Sequence, residues 1–386
     1  MKIVDVCAFY SPRGGGVRTY VGQKLSVAEQ MGHDITILAP GDSHDVIETS
    51  PSARIVTIPS PRFPLDRKYW YFDDEAMLHE ALDRFAPDMV EASSPWRSPL
   101  LVANWRPDVP KALIMHADPL STYAYRWLSR LFTRQTIDRQ FERFWDHLRH
   151  LGTVFDAVVC ANQDLSVRLT RGGVANVVSI PMGVAPGRFS PQRRDPDIRA
   201  RLLARCGLGP DATLLIAAGR LAPEKRLPLL IEAVTIAGRQ RPIGLGIFGE
   251  GREQASIMRA IGGNPHVRLF RPVTDRNEFA TLLASADALL HGCESETFGM
   301  AAAEARASGI PVIVPDLGGA ADFARDGGGI AYRAANRIDL VRAIMDLPMR
   351  FEPSRNVRTA RSMNDHFEAL FAHYAALVSH KRLEAA

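Results

Sequence analysis

Two kinds of hydrophobic pattern alternate along the N-terminal half of this chain. Short runs of consecutive apolar residues, typical of buried strands, are followed by segments in which apolar residues recur every three or four positions, as on one face of a helix. The first pair is a strand at residues 3–9 and a helix at 17–31, which Gly32 ends. The same pattern predicts further strands at residues 34–39, 54–59, 89–92, 112–116 and 157–161.

The C-terminal half repeats this alternation. Strands are predicted at residues 214–218, 244–248, 267–270, 288–291 and 312–314, and helices at 228–237, 254–261, 277–286 and 300–308. Short apolar strands separated by helices are typical of parallel sheets with crossover connections. We therefore expect an α/β protein made of two Rossmann-like domains that face each other across a cleft, with ligands at the carboxyl ends of the strands.

Two further segments bear on the domain organisation. Residues 181–210 are rich in Pro, Gly, Arg and Asp, which suits an interdomain linker. This places an N-terminal domain at residues 1–183 and a C-terminal domain at 184–362. The tail, residues 365–386, predicts a helix with one apolar face, and this face must pack against a domain.

Composition narrows the class of protein. Hydrophobic residues make up 46% of the 386 residues and charged residues 23%, as in a folded globular protein. The net charge of +4 favours anionic partners such as phosphates or an acidic membrane surface, but it is too small and too dispersed to indicate nucleic acid binding. The four cysteines form no C-x-x-C pair, so neither a zinc site nor a disulfide framework is expected. We predict no signal peptide and no membrane-spanning helix, and hence a cytoplasmic location.

Two glutamates separated by seven residues follow one of the predicted strands of the second half. Glu296 lies on the loop after the strand and Glu304 lies inside the next predicted helix. That helix begins near Phe298, Gly299 and Met300, where backbone N–H groups without helical partners and the positive end of the helix dipole suit an anion. Glu304 could accept hydrogen bonds from a ribose diol.

Cationic side chains follow an earlier strand of the same half. Gly219, Arg220 and Lys225 lie at the predicted mouth of the sheet, where arginine and lysine suit a departing diphosphate. Gly249 follows the next strand and either permits a close backbone approach at the same edge or merely forms a turn. We expect no metal site, because proline interrupts the Asp-x-Asp at residues 195–197. The cations and helix N-termini would then balance the phosphate charge.

The first half offers weaker signals. Gly14, Gly15 and Gly16 precede the first predicted helix and could cradle an anion, although they match neither a G-x-G-x-x-G fingerprint nor a Walker A motif. His116 and Asp118 lie at the end of a predicted strand. A histidine there could orient or polarise a substrate hydroxyl, or it could be a purely structural residue.

Together these motifs resemble the GT-B glycosyltransferases of family 4 over nearly the whole chain. The Glu-x7-Glu signature within Glu-Thr-Phe-Gly is the most specific part, and Gly-Arg-Leu followed by a lysine is nearly as specific. The Gly-Gly loop, the strand-end histidine, Pro-x-Gly-Val from Pro181 and Ser-Gly-x-Pro-Val from Ser308 complete the match.

The resemblance implies transfer of a hexose, of mannose or glucose type, from a GDP- or UDP-sugar with retention of anomeric configuration and without a metal or other cofactor. In the second half it assigns Arg220 and Lys225 to the donor diphosphate, Glu304 to the ribose, and Glu296 with residues 298–300 to the donor sugar and phosphate.

In the first half the resemblance places the Gly15-Gly16 loop near the donor phosphates and His116 near the donor sugar. It also implies that the last helix, residues 363–386, crosses back to the N-terminal domain, which supplies the packing partner that the tail requires.

The acceptor must be inferred from the first half. Residues 125–151 carry six arginines among aromatic and aliphatic residues, and residues 62–72 add further basic and aromatic side chains. Such a surface suits an approach to anionic lipid, or else it is a core-packed helix with a solvated charged face. Residues 116–151 also resemble mannosyl- and glucosyltransferases that act on lipid-linked acceptors. We expect a lipid or lipid-linked sugar acceptor at the cytoplasmic membrane face, with Asp118 and Tyr123 as acceptor-binding candidates.

Other functions stay open at this point. A nucleotide-sugar epimerase of GT-B shape would turn over the donor without an acceptor, and a glycosyltransferase could instead use a soluble sugar or sugar phosphate. A third alternative is a binding protein of this shape with decayed catalysis. A nicotinamide-dependent oxidoreductase is disfavoured, because residues 11–17 lack the G-x-G-x-x-G that should follow the first strand.

Overall fold

The computed structural model describes residues 1–10, 16–63, 70–128, 131–351 and 361–384. The chain divides into two compact units, one made of Met1–Met182 with Met363–Ala386 and the other of Gly183–Ser362. Each unit is built on a sheet of mainly parallel strands with helical connections, which confirms the α/β class.

The first unit contains an eight-stranded sheet in the described part of the chain. Its strands are β1 (Lys2–Val6), β2 (Asp34–Gly41), β3 (Val46–Ser50), β4 (Ala53–Pro59), β5 (Met89–Ser93), β6 (Lys111–Ile114), β7 (Ala157–Cys160) and β8 (Val177–Ser179). They are ordered β3-β4-β2-β1-β5-β6-β7-β8, and neighbours are parallel except β3 and β4. The chain builds outward from β1 through β2 and β4, then returns to the other side of β1 with β5. Such a reversal leaves a crevice at the carboxyl ends of the two strands that flank it.

Helices connect these strands. They are α1 (Gly16–Gln30), α2 (Glu75–Phe85), α3 (Ser98–Ala103), α4 (Arg126–Leu128), α5 (Arg134–Gln140), α6 (Glu142–Val154) and α7 (Gln163–Arg171), with a π-helical turn at Leu120–Tyr125 before α4. The predicted apolar face of α1 is confirmed, since Tyr20, Val21, Leu25 and Ala28 are buried. Side chains cap three of the later helices, α2, α5 and α7. For example, the Asn162 side chain accepts a hydrogen bond from the backbone N–H of Leu165 at the start of α7.

The second unit contains a six-stranded sheet among its described residues. Its strands are β9 (Thr213–Ala218), β10 (Ile243–Phe248), β11 (Val267–Phe270), β12 (Ala288–Leu290), β13 (Val312–Pro315) and β14 (Gly329–Tyr332). Its helices are α8 (Pro196–Arg205), α9 (Leu227–Ala237), α10 (Gln254–Ile261), α11 (Arg276–Ala284), α12 (Met300–Ala307), α13 (Ala320–Phe323) and α14 (Arg337–Arg350). The strands are parallel and ordered β11-β10-β9-β12-β13-β14, so the reversal falls between β9 and β12.

The linker interpretation of residues 181–210 is wrong for much of that segment, which contains α8 and lies in the second unit except for its first two residues. The Asp195 side chain caps α8 by accepting hydrogen bonds from the backbone N–H groups of Asp197 and Ile198, and Pro196 occupies its first position. A capping aspartate followed by proline is a helix start signal, and the richness of the segment in turn-forming residues concealed it.

Three strands were not predicted, namely β3, β8 and β14. All three lie at sheet edges, where a strand is short and has a partner on one side only. Strands in such positions lose the continuous apolar run that marks a central strand, as the exposed residues of β3 show.

The last helix, α15 (Met363–Glu384), belongs to the first unit and confirms the predicted apolar face. Phe367, Leu370, Phe371 and Tyr374 are buried in the core that also contains residues of α1. Because these side chains fill the same cluster as those of β1 and β2, the helix is an integral part of that core rather than an appendage.

A buried charge network lies beneath this helix. The Lys24 ammonium donates hydrogen bonds to Asp5, at 2.9 Å, and to Glu91, and all three side chains are almost fully excluded from solvent. The Tyr374 hydroxyl donates a further hydrogen bond to Glu91. Burial and the nearby Asp5 carboxylate raise the pKa of Glu91 to about 7. The network therefore joins β1, β5 and α1 to α15 through charges that water cannot screen.

Candidate active site

The loops that follow β9 and β12 carry most of the motif residues in the second unit. Since the sheet reverses between these two neighbouring strands, their carboxyl ends flank the crevice at which open α/β sheets bind ligands. Residues 219–225 follow β9 and residues 291–299 follow β12. The sheet thus brings together two motifs that are about seventy residues apart in sequence.

The central contact of this site is an ion pair between Lys225 and Glu296. The Lys225 ammonium donates a hydrogen bond to a Glu296 carboxylate oxygen, and both side chains are partly buried. Burial by itself would raise the pKa of Glu296, but attraction to Lys225, the hydrogen bond from Lys225 and the nearby His291 and Arg220 together lower that pKa to about 2. Burial would lower the pKa of Lys225, but Glu296 holds it above its usual value. Both groups are therefore charged throughout the physiological pH range.

His291 and Cys293 lie beside this pair. Burial lowers the pKa of His291 to about 4, so its imidazole is neutral at physiological pH. Its Nε2 atom lies 3.6 Å from a Glu296 carboxylate oxygen and has no hydrogen-bond partner among the described residues. The ligand atoms of His291, Cys293 and Glu296 lie within 4.8 Å of one another and could hold a metal ion. In this arrangement the Lys225 ammonium already provides a cation for the Glu296 carboxylate.

Arg220 lies at the same edge but in a different environment. Its side chain is 72% exposed, and its guanidinium donates a hydrogen bond to Glu224 at 2.9 Å. An exposed ion pair of this kind adds little to stability. The guanidinium is accessible to an anionic ligand, which a buried structural arginine would not be.

A second pair, which the sequence analysis did not identify, supports the first. Arg226 donates hydrogen bonds from its guanidinium to both carboxylate oxygens of Glu294. The pair joins the residue after Lys225 to the residue two before Glu296, so it holds the β9 and β12 loops together. The sequence offered one signal for this pair. Two basic residues, Lys225 and Arg226, follow one strand, and two acidic residues, Glu294 and Glu296, follow another.

Two glycines are required by the backbone of this site. A Cβ on Gly249 would lie 2.0 Å from the backbone oxygen of Gly219, so the loops after β9 and β10 approach too closely for any side chain. Gly299 has φ +89 and precedes the first residue of α12, a left-handed conformation that favours glycine. The lack of a side chain at Gly249 thus lets these two loops pack together, and its contact with a donor stays a prediction.

The residues around the start of α12 have different exposures. Phe298 is buried, with its ring centroid 5.5 Å from that of Phe323, so its side chain packs in the unit while its backbone lies at the helix N-terminus. Met300 begins α12 and is half-buried. The first backbone N–H groups of a helix have no partners within it, and this N-terminus can therefore receive an anion.

Glu304 is buried inside α12 and forms an ion pair with Arg276 at the start of α11. Burial raises the pKa of Glu304, and attraction to Arg276 counteracts this. The Arg276 guanidinium also lies 5.3 Å from the ring centroid of Phe189 and 5.2 Å from that of Phe279. Arg276, like Arg226 and Glu294, was not identified from the sequence, because nothing in its local pattern distinguishes it from a solvated arginine.

In the first unit, His116 follows β6 and is half-buried. Its ring packs edge to face against Tyr20 of α1, with centroids 4.7 Å apart. Burial lowers the pKa of His116 to about 4, so the imidazole is neutral at physiological pH. A neutral imidazole can donate and accept hydrogen bonds but carries no charge with which to bind a phosphate.

Asp118 lies in a network of its own. Its carboxylate accepts hydrogen bonds from the Ser121 hydroxyl, at 2.5 Å, and from the Arg168 guanidinium. Arg168 in turn contacts the Tyr125 hydroxyl. Because Asp118 is buried in these contacts, it positions the turn after β6. Tyr123, the other acceptor candidate, is exposed on this turn, and its ring lies 5.6 Å from that of Trp127.

Only part of the glycine-rich loop lies among the described residues. Gly14 and Gly15 lie outside the described residues, as do Arg67, Lys68, Tyr69 and Arg130 of the basic and aromatic segments. Gly16 is the first residue of α1 and is exposed.

The basic and aromatic segment at residues 125–151 divides into buried and exposed parts. Trp145 and Leu148 are buried in the core, as a packed helix requires. Trp127 is 62% exposed, Leu131 78% and Phe132 50%. We call these three residues the apolar patch. Arginines flank it, and Arg126 lies 5.6 Å from the Trp127 ring. No helix among the described residues is both long and apolar enough to cross a bilayer.

Known protein families match each half of the chain. The family described as "Glycosyltransferase Family 4" matches residues 14–188, and "Glycosyl transferases group 1" matches residues 203–356. The two matches thus fall on the two structural units.

Individual proteins match over most of the chain. A "GDP-mannose-dependent alpha-(1-6)-phosphatidylinositol dimannoside mannosyltransferase" of Mycobacterium tuberculosis is 30% identical over 318 residues, which is 81% of this chain and 79% of that protein. A "GDP-mannose-dependent alpha-mannosyltransferase" of the same species is 27% identical over 332 residues, or 84% and 81% of the two chains.

Among solved structures, the sucrose-phosphate synthase of Thermosynechococcus elongatus superposes with a TM-score of 0.69 and 20% identity, over 100% of this chain and 98% of that one. This likeness concerns the fold alone. Together with the extended sequence identity and the two family matches, it establishes that the chain belongs to the GT-B glycosyltransferases of family 4 and is a hexosyltransferase.

Proposed function

We propose that this enzyme transfers mannose from GDP-mannose, with retention of configuration, to a lipid-linked mannoside. The observation that carries the proposal is the 30% identity over 81% of the chain to a mannosyltransferase whose name specifies GDP-mannose and a phosphatidylinositol dimannoside. The cationic site after β9 and β12 supports the donor part, because it matches the chemistry of a nucleoside diphosphate.

On the donor side, the diphosphate binds to Lys225, Arg220 and the N-terminus of α12. The ammonium and the guanidinium supply charge and hydrogen bonds to the phosphate oxygens, and the helix dipole adds to both. Glu296 keeps Lys225 protonated and orients it. Glu304 accepts hydrogen bonds from the ribose hydroxyls, and Arg276 holds its carboxylate in place.

The transfer proceeds by attack from the face that the diphosphate leaves. The bond between the anomeric carbon and the phosphate oxygen breaks, and the acceptor hydroxyl forms a bond to the same carbon on the same face. The proton of that hydroxyl passes to the departing phosphate oxygen, so the enzyme needs no separate base. Lys225 and Arg220 stabilise the charge that develops on the diphosphate, which is the main source of rate acceleration. His116, neutral at physiological pH, hydrogen-bonds to the transferred sugar.

The proposal includes catalysis without a metal. In a metal-dependent enzyme a divalent ion neutralises the diphosphate. Here the partly buried Lys225, whose pKa is raised, offers a cation at the point where the strand order of the sheet reverses. The group formed by His291, Cys293 and Glu296 is the first place to search should a metal prove necessary.

We further propose that the enzyme works peripherally on the cytoplasmic face of the membrane. The exposed apolar patch of Trp127, Leu131 and Phe132, flanked by arginines, supports this location. Amphipathic surfaces of this composition bind anionic lipid through buried apolar area and charge attraction.

The test is a transfer assay with purified protein, radiolabelled GDP-mannose, UDP-glucose or UDP-galactose, and acceptors in anionic vesicles or in solution. We expect mannose to appear in a lipid mannoside, the product to be cleaved by an α-specific mannosidase, and turnover to persist in EDTA. Preferred transfer to free mannose or a sugar phosphate would overturn the lipid acceptor. Isomerised donor without transfer would indicate an epimerase, and loss of turnover in EDTA would overturn the metal-free mechanism.

A further inference from the structure

The first unit contains a cavity that neither the donor site nor the charge network accounts for. Its volume is about 300 Å³. Three of its lining residues follow strands of the sheet: Phe9 follows β1, Trp96 follows β5 and Phe63 follows β4. The cavity therefore lies near the point between β1 and β5 where the strand order reverses. A cavity at the carboxyl ends of these strands occupies the position at which α/β sheets bind ligands.

Most of the residues that line this cavity are aromatic. Phe63 packs edge to face against Phe9, at 6.4 Å between ring centroids, and against Tyr71, at 6.2 Å. Trp70 and Trp96 also line it. The Trp70 indole N–H donates a hydrogen bond to Asp42 at 2.7 Å, so the polar atom of that ring is already satisfied. The surface that lines the cavity is mainly hydrocarbon.

Polar groups are sparse at the cavity. Ser98 is buried, and its hydroxyl has no hydrogen-bond partner among the described residues. Arg97 is exposed beside it. A sugar buried here would leave most of its hydroxyls without partners, at a cost of about 1–3 kcal/mol for each. An alkyl chain gives up no hydrogen bonds when it enters the cavity. The Ser98 hydroxyl can donate one hydrogen bond to an ester carbonyl at the end of such a chain.

We propose that this cavity binds part of an acyl or alkyl chain of the acceptor. The enzyme then recognises its substrate by hydrocarbon as well as by sugar. This inference rests on the proposed function, since it assumes a lipid-linked mannoside as the acceptor. It names a binding site in the first unit for the lipid part.

The test uses a series of α-mannosides with methyl, butyl, hexyl and octyl aglycones, each below its critical micelle concentration and without vesicles. Burial of each added methylene should lower KM about fourfold until the cavity is full. Phe63→Ser and Trp96→Ser should reduce the ratio of kcat/KM for octyl over methyl mannoside at least tenfold. Ile338→Ser, which changes an exposed residue of the second unit, should keep the wild-type ratio. Because Trp96 is exposed, Trp96→Ser should disturb folding less, and it serves as the test if Phe63→Ser does not fold.

A KM that is independent of chain length, or a ratio unchanged in both cavity variants, overturns the cavity proposal and leaves mannosyl transfer standing. If no mannoside is glycosylated at all, the proposed function has failed instead. Tryptophan fluorescence then tests whether the cavity binds the alkyl chain, independently of turnover. Octyl mannoside without donor should change the emission of the wild type but not that of a Trp70→Phe/Trp96→Phe variant, and an unchanged wild-type emission also overturns the proposal.

Discussion

Lys225 and Glu296 are separated by 71 residues in sequence and form one hydrogen-bonded ion pair at the carboxyl edge of the second sheet. The pair keeps a lysine charged in a partly buried site and keeps a glutamate ionised beside it. This relationship makes the two residues a unit, so their variants should not behave independently.

We expect Lys225→Ala to lower kcat/KM about a hundredfold or more, because it removes a preorganised cation from the departing diphosphate. Glu296→Gln should weaken GDP binding less, since lysine remains. The double variant should lose less than the sum of the two single losses in free energy, as measured by a double-mutant cycle of GDP affinity and turnover. Strict additivity would show that the two side chains act separately in catalysis.

Arg220→Ala should also lower turnover about a hundredfold, with little change in melting temperature, since its exposed pair with Glu224 contributes little to stability. Arg259→Ala is the matched control, because it removes an exposed arginine from α10 of the same unit. Steady-state kinetics with saturating acceptor measure the effect. Turnover equal to that of the control would remove Arg220 from the mechanism.

The buried network around Lys24 predicts opposite effects for two of its members. Lys24→Met leaves Asp5 and Glu91 buried without a cation and should cost about 3–5 kcal/mol in unfolding free energy. Glu91→Gln should be tolerated far better, because the folded state raises the pKa of Glu91 to about 7 and thus favours its neutral form.

The sign of the pH dependence follows from the same shift. Between the unfolded pKa of about 4.5 and the folded pKa of about 7, the folded state holds a proton that the unfolded state has lost. The contribution of Glu91 to stability therefore falls as pH rises through this window. Relative to the wild type, Glu91→Gln should be more stable at pH 7.5 than at pH 5, as measured by chemical denaturation at about those two values. A difference of the reverse sign would show that Glu91 is ionised in the folded protein at low pH.

The fall of activity at acid pH should depend on protonation of the His116 imidazole. Because burial lowers the pKa of His116 to about 4, the neutral imidazole persists well below pH 6. We expect kcat/KM to stay level from pH 8 to about pH 5.5 and to fall only below that, with the limb altered in His116→Gln. If activity instead falls with a midpoint at about pH 6.5, the ordinary histidine value, and this fall disappears in His116→Gln, the imidazole titrates as if exposed.

The apolar patch should control binding to anionic vesicles. Trp127→Ser/Leu131→Ser removes two exposed apolar side chains and should weaken binding at least tenfold, about the loss expected for side chains of this size. Met258→Ser/Ile338→Ser makes a similar change at exposed positions of the second unit and should bind like the wild type. Sedimentation with phosphatidylglycerol vesicles measures both, and equal binding of the two variants would refute the role of the patch.

The sequence alone determined the class of fold and the location of the two motifs of the second unit. Apolar runs and helical periods are local properties, and central strands such as β1 and β9 are marked by them because both of their faces are buried. The Glu-x7-Glu signature and the Gly-Arg-Leu string were recognisable for the same reason, since each lies within a single loop and helix start.

What the tertiary structure decided is which distant residues meet and what their surroundings do to them. The Lys225–Glu296 and Arg226–Glu294 pairs exist because β9 and β12 are neighbours, and strand order is not written in any local pattern. The buried position of Asp118, the pKa of Glu91 and the aromatic cavity likewise depend on burial by residues from several elements. A side chain's exposure and charge are set by that environment, which one-dimensional spacing does not contain.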